Sequence, residues 1–429
     1  MKKSLVALAT LAASGAVLAQ ATIYGRTDIG YGVKATQMGT GGTGVKQLGI
    51  MDGGNGGPRI GFRGTEDLGG GMKAHFVTEQ GISPTNPALF GVRTGTIGIQ
   101  YDGYAAASGN DPGSAGGYTQ GTNRQTYVGV EGGFGTIRVG YQYTTLYEIA
   151  TLSGFTNTSE GVAGGSIAHL WGNGVAGGTR ANMINYISPR LAGAWTVGVQ
   201  MGSGTGRENT EFVGVTNTAN GRALDKQVRN SLHIDYNAGP LRAAFGYTTF
   251  ESNLGGALAN NAAGTLGTAG AANTVTNTFN VLGALTTVGA TAATANVAVQ
   301  TNLTQLAGTY NFGAIKLGAT INSGQSTSTS TNIATSVATP TVTNISSRAV
   351  SAVMPMGKLD IVGGFNNASL DVAGTPTADW ASSQLGLKYN FSKRTVMYGF
   401  TGTSTNNLAT AATAVKVITG TIVGIDHQF

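Results

Sequence analysis

Along nearly the whole chain, apolar and polar residues alternate with a period of two. In "TIYGRTDIGYGV" (22–33), Ile23, Ile29 and Tyr31 fall on one parity and Arg26 and Asp28 on the other. "RIGFRGTEDLGGGMKAHFVTE" (59–79) sets Ile60 and Phe62 against Arg59 and Arg63; past its glycine turn, Ala74 and Phe76 stand against Lys73, His75 and Glu79. The alternation recurs in "TIRVGYQY" (136–143), "LRAAFGYTTF" (241–250), "IKLGATIN" (315–322) and "QLGLKYNF" (384–391). Successive side chains of a pleated strand point to opposite faces, so each stretch predicts a β-strand with one apolar face.

The connections between these strands sort into two lengths. Short turns are expected at 65–71, 132–133, 188–190, 237–240, 313–314, 355–357 and 391–394. Long polar segments rich in Gly, Ser, Thr, Ala and Asn are expected near 34–57, 81–123, 144–179, 204–227, 251–301, 326–344, 368–380 and 406–414. Seven short turns alternating with eight long segments give 16 strands with both termini at one end. That alternation belongs to an even-stranded outer-membrane barrel, with short periplasmic turns and long extracellular loops. In lipid every backbone N–H and C=O must be paired, so strands can span only as an edge-free barrel. The apolar parity then faces lipid. Tyr31, Tyr186, Trp195, Tyr236, Phe312, Tyr389, Phe391 and Phe400 are its candidate interfacial aromatics. A barrel of this size is too wide for side chains to fill, so the polar parity lines water.

Composition adds limits. The chain has no cysteine, which excludes a disulfide framework and thiolate metal sites. Lys2 and Lys3, an apolar run from Leu5 to Leu18 and "VLA" before Gln20 read as an export signal cleaved after Ala19, leaving 20–429 as the barrel domain. The apolar run is short for a membrane-spanning helix, which needs ~20 residues, and no second one follows it.

The formal net charge is +6. On parity, Arg26, Arg59, Arg63, Lys73, Arg138, Arg229, Arg242, Lys316 and Lys388 face the lumen, and they outnumber Asp28, Glu79, Glu131, Asp235 and Asp360. Rings of like charge set pore selectivity. At physiological salt the Debye length is ~8 Å, so only charges beside a constriction count for much. The basic residues are dispersed along strands rather than clustered with exposed aromatics, which argues against nucleic acid as a partner. His75, His169, His233 and His427 fall in different segments, and none makes a nucleophile–base pair in the sequence. No cofactor motif is present, since glycine runs such as "GTGGTG" lack the lysine and the strand–helix setting of a phosphate loop.

At "YGRTDIGYG", "RIGFRGTEDLGGGMKA", "QTYVGVEGGFGTIRVGYQY" and the terminal "VGIDHQF", the chain resembles the Gram-negative general porins of the type common in β-proteobacteria. The resemblance runs from the signal to Phe429 and is weaker in the long segments. It implies a trimeric 16-stranded barrel in the outer membrane, contacting lipid and lipopolysaccharide, that passes small hydrophilic solutes and ions passively. The third loop, about 144–179, would fold inward and narrow the pore. Arg59, Arg63 and Lys73 match the family's basic wall, with Arg138 beside them, and Glu148 and Glu160 are the loop's acids. Phe429 matches the terminal aromatic read by the outer-membrane assembly machinery. The family often reads "GRQYTPLY" where this chain has "GYQYTTLY", so Tyr141 stands in place of a wall arginine and a weak anion preference is the expectation. A substrate-specific channel, suggested by Tyr127, Tyr141 and Trp171, is the alternative. A surface-contact role for the long 254–300 segment is a further one.

Overall fold

The computed structural model describes residues 21–82, 84, 123–150, 152, 180–203, 226–254, 279–281, 284–286, 295–332, 338–410 and 415–429. The proposed signal, most of the third loop with Glu160 and Trp171, and much of the 254–300 segment lie outside them.

Alternation becomes architecture through pairing. The strands are β1 (Thr22–Met38), β2 (Val45–Asp52), β3 (Arg59–Gly69), β4 (Met72–Gly81), β5 (Asn123–Gly132), β6 (Gly135–Tyr143), β7 (Arg180–Ile187), β8 (Trp195–Ser203), β9 (Lys226–Ala238) and β10 (Leu241–Leu254). A small separate hairpin, β11 (Phe279–Val281) and β12 (Ala284–Thr286), follows. The wall resumes with β13 (Ala295–Asn311), β14 (Lys316–Asn332), β15 (Ala338–Met356), β16 (Leu359–Val372), β17 (Thr375–Asn390), β18 (Thr395–Asn406) and β19 (Val415–Gln428). Neighbours in this order pair antiparallel, and β1 closes the ring on β19 from Arg26↔Gln428 to Met38↔Val415. β2 and β3 pair with successive parts of β1 and are two pieces of one stave. The result is a closed barrel of 16 staves with no free edge.

Burial follows the parity. Leu48, Ile50, Met201 and Phe365 are among the most exposed large side chains, at 60–66%, and they sit on the outer face, where lipid lies. On the inner parity Asp28, Gln200, Gln305, Thr320 and Asn322 are buried. The short-turn ends carry aromatic contacts: Trp195 against Tyr236, Tyr310 against Phe312, and Tyr389 against Phe391, with ring centroids 4.7, 4.5 and 5.0 Å apart. Tyr186 donates to the Phe134 carbonyl at 2.9 Å. This is the expected aromatic girdle. Phe400 does not belong to it. It shares the inward parity with Tyr398, stacks on that ring at 5.1 Å, and is buried with Met51, Val362 and Ile422.

The seven short turns are where the sequence places them. Three of the long segments are largely strand instead. At 34–57 the chain makes a hairpin between β1 and β2, then a break, then β3. At 326–344, β14 and β15 run on with Ser and Thr on both faces. At 368–380, β16 and β17 meet in a two-residue turn in which Ala373 and Gly374 have φ of +52° and +82°. Asp371 Oδ1 accepts from Gly374 N at 2.8 Å there. Adjacent positive-φ residues suit the primed turns that join twisted strands. The Ser/Thr-rich ends of β14 and β15 lack apolar alternation because both of their faces are partly exposed. At 368–380, by contrast, Ala368, Leu370, Ala378 and Trp380 keep one buried face. Cross-strand hydroxyl pairs support strands of this composition instead, as in Ser346–Ser369 at 2.8 Å and Thr301–Ser326 at 2.9 Å.

Candidate functional site

The site is the barrel interior, where a short helix docks on the inner wall beside clustered charges. Directly after β6, Thr144 starts the helix α1 (Thr145–Ala150), its hydroxyl accepting from Tyr147 N at 3.3 Å. Such a hydroxyl satisfies one of the helix's first free N–H groups. The helix leaves the wall after β6, where Tyr147 still stacks on Tyr143, and packs its apolar side on β10 and β13. Leu146 is fully buried against Leu303 on β13, and Ile149 packs with Ala244 on β10 and Ala307 on β13. Gly246 on β10 lets it seat: a Cβ there would overlap Ile149 and stand 3.2 Å from Thr145 Cγ2. Polar contacts complete the dock. Thr145 N donates to Gln200 Oε1 at 2.8 Å, Thr145 Oγ1 meets His233 Nδ1 at 3.3 Å, and Gln305 Nε2 donates to the Leu146 carbonyl at 3.3 Å. The start of the third loop therefore lies inside the barrel on β8, β9, β10 and β13.

Glu148 projects from this helix among Arg138, Asp235 and Arg242. Burial pushes its carboxyl up to about 7; Arg138 opposes the rise, Asp235 adds to it, and Arg242 opposes it. A carboxyl removed from water resists ionising unless positive charge compensates.

The stretch of wall from β3 to β7 is basic. Arg124 Nε donates to Glu79 Oε1 at 2.6 Å, and Arg59 Nε stands 3.6 Å from Glu79 Oε2. Tyr24 donates to the same carboxylate at 3.2 Å. Arg124 and Arg180 both reach the Tyr143 hydroxyl, at 3.0 and 3.3 Å, and the Tyr143 ring stacks on Tyr147 of the helix at 4.3 Å. Arg63 lies over the Tyr24 ring at 5.1 Å, Arg138 over Tyr127 at 5.2 Å, and Arg180 over Tyr143 at 4.7 Å. A guanidinium laid on a ring keeps its N–H edge free for an anion.

The sequence-derived candidates divide accordingly. Arg59, Arg63 and Arg138 gather on this wall, and Glu148 stands near Arg138. Lys73 is at the short-turn rim beside Glu131, 3.9 Å away and half exposed. Arg26 is tied to Asp426, and Arg242 to Asp235 at 3.1 Å. Phe429 exchanges both backbone hydrogen bonds with Gly25, at 3.0 and 3.1 Å, and so sits on the seam that closes the barrel. Tyr141 lies in β6. It pairs with Thr126 and Asn182 on the parity of the exposed Ile137 and Val139. Arg124 and Arg180 were absent from the parity-based set. Arg180 opens a strand next to a long loop, and Arg124 sits where a register shift between Glu79 and Gln80 breaks the alternation.

A family model described as Gram-negative porin matches residues 4–409. The outer membrane porin protein 32 of Delftia acidovorans is 30% identical over 272 residues, covering 62% of this chain and 65% of that protein. The major outer membrane protein P.IB of Neisseria meningitidis serogroup B is 29% identical over 221 residues, covering 49% and 53%. The match thus spans between about half and two thirds of these relatives' length. Among solved structures, an anion-selective porin from Comamonas acidovorans aligns with a TM-score of 0.59 at 21% identity, covering 96% of this chain and 100% of that one. The outer-membrane expressed OmpT of Vibrio cholerae aligns at 0.56 with 13% identity, covering 95% and 97%. At these identities the structures speak for the fold. The family match and the two outer-membrane relatives, together with the closed barrel, place the protein in the outer membrane, and the chain belongs to the Gram-negative porin family.

Proposed function

We propose that the barrel is a water-filled pore through which small hydrophilic solutes and ions diffuse passively, with a weak preference for anions. The observation that carries this reading is the cluster of Arg59, Arg63, Arg124, Arg138 and Arg180 on the wall beside α1, with Glu79 its central acid. A narrow lumen with low-dielectric walls focuses such a field onto passing ions. Arg59, Arg63 and Arg138 are assigned to the constriction wall and Glu148 to the loop beside them. Lys73 stands farther out and acts as a rim charge, while Glu160 joins the loop's acids on the resemblance alone. No covalent step or energy coupling is invoked, and catalysis is not part of this reading. A cleaved signal at 1–19, a homotrimer and Phe429 as the assembly signal complete it. The Delftia relative and the Comamonas structure, named as a porin and an anion-selective porin, support it.

A substrate-specific channel is the second reading, favoured by the stacked Tyr143–Tyr147 pair and the arginine over it. Single-channel recording in a planar bilayer under a KCl gradient separates the two. Large ohmic steps, closing in threes at high voltage, with an anion-favouring reversal potential support the general pore. Small saturable currents blocked by one solute support the specific channel, and no conductance from a folded barrel defeats both.

A further inference from the structure

The second stave of the barrel is broken, and what fills the break points into the lumen. Above it, Asp52 of β2 pairs with Ile29; below it, Arg59 of β3 pairs with Arg26. The hexapeptide "GGNGGP" (53–58) therefore stands opposite only Thr27 and Asp28. An ordinary bulge adds one residue. Here the surplus is larger and even in number, so the strand leaves the wall and rejoins it with its inside–outside alternation intact. Pro58 cannot donate to a ladder, which keeps the break open.

The excursion is held by groups on the inner parity. Asp28 Oδ2 accepts from two successive backbone N–H groups, Asn55 at 2.7 Å and Gly56 at 2.6 Å. Its other oxygen accepts from the Tyr398 hydroxyl at 2.6 Å. Asn55 Nδ2 donates to Asp426 Oδ2 at 2.8 Å, and Asp426 is in turn gripped by Arg26. Asp28, Asp426 and Asn55 are all buried. The glycines are demanded by contact: a Cβ at Gly54 would stand 2.7 Å from Tyr398 Cζ, and one at Gly56 would overlap the Arg26 guanidinium. Burying a carboxylate is costly unless its acceptors are filled. This one is filled from three directions by the segment and its support, which makes the excursion a fixed shape.

Its position gives it a role. The excursion is supported by β1, β18 and β19, whereas α1 docks on β8, β9, β10 and β13; in the closed order of staves these are half a ring apart. Both meet their strands in the halves next to the short turns, as Tyr398 in β18 and Gly246 in β10 show. We propose that residues 53–58 form a second lip of the pore, so that the passage is narrowed between α1 and this glycine-rich segment. The proposal rests on the lumen being a diffusion path. The lip presents backbone, and its charged neighbours Arg26 and Asp426 are locked together, so it limits width rather than ion sign.

The test is excision of 54–57 combined with Pro58→Thr, which restores a continuous stave in register, compared with the unaltered protein in planar bilayers. The expected result is a rise in unitary conductance and in the size of neutral sugar admitted by liposome swelling, at an unshifted reversal potential. An unaltered conductance and size limit in a folded, heat-modifiable barrel overturns the lip while leaving the pore standing. Absence of conductance from the unaltered protein defeats the pore reading itself. Should the excised barrel fail to fold, Gly57→Cys decides, because the chain has no other cysteine. Attachment of a charged methanethiosulfonate at that half-buried position should step the open-channel current. A fully labelled channel with unchanged current overturns the proposal.

Discussion

Arg124 Nε donates to Glu79 Oε1 at 2.6 Å, and through that contact a single carboxylate holds down the basic wall. Glu79 is nearly fully buried and also faces Arg59 and the Tyr24 hydroxyl. Glu79→Gln should leave both arginines in the lumen without their counter-charge. The reversal potential under a KCl gradient should move toward anions, and the thermal transition should fall, because breaking a buried pair by removing one partner costs about 3–5 kcal/mol. An unmoved reversal potential would mean that these arginines lie outside the field that ions sense.

The arginines backed by tyrosine rings should act in the opposite sense. Arg63→Glu together with Arg138→Glu should shift selectivity toward cations more than Lys73→Glu does, because Lys73 sits at the rim beside Glu131. Equal shifts from rim and wall would sink this ranking. Salt sharpens the test, since screening over ~8 Å at physiological strength leaves only close charges effective.

Selectivity should depend on pH through Glu148. With a carboxyl titrating at about 7, the side chain is charged above that pH and neutral below it. The lumen therefore gains net positive charge as the pH falls through about 7, and anion preference should increase between pH 8 and pH 6. The same raised value makes docking of α1 strongest at low pH, with that contribution lost as the pH rises through about 7. Glu148→Gln should flatten the selectivity profile in this interval. A profile identical to that of the unaltered protein would assign the titration elsewhere.

Leu146 and Leu303 couple the helix to β13. Leu146→Ala should cost about 2–5 kcal/mol at the dock, the usual range for emptying such a site. Because the barrel ladder does not use this contact, heat modifiability should persist while open-channel noise and mean conductance rise. Quiet, unaltered openings would show that the remaining polar contacts of α1 suffice.

The barrel was readable because the membrane imposes a two-letter pattern. Ile137, Arg138 and Val139 had to alternate, since one face meets lipid and the other water, and the short turns had to fall between such runs. Where water lies on both sides the pattern vanishes, and the Ser/Thr-rich end of β14 reads as loop. Parity also misplaces residues wherever a strand stops being regular. Arg124, beside a register shift, reaches Glu79 although the alternation gave no reason to include it. Phe400 was judged by its aromatic character, but it lies on the inner wall beneath Lys388. The excursion at 53–58 leaves only a trace in the sequence, two Gly-Gly pairs around an asparagine, and its meaning depends on Asp28 and Tyr398, which are 370 residues apart.

The pairing of β1 with β19 has a consequence for how the molecule forms. Arg26 meets Asp426 across 400 positions of chain, and Gly25 exchanges backbone bonds with Phe429. Until that seam is made, both outermost staves carry a full row of unpaired donors and acceptors, open to any other strand. Closing so long a loop comes late and slowly, because its entropy must be lost before any contact returns it. The barrel is thus most vulnerable to pairing with the wrong neighbour just before completion. A few residues at each end of the wall decide whether the intermediate becomes a sealed ring or an aggregate.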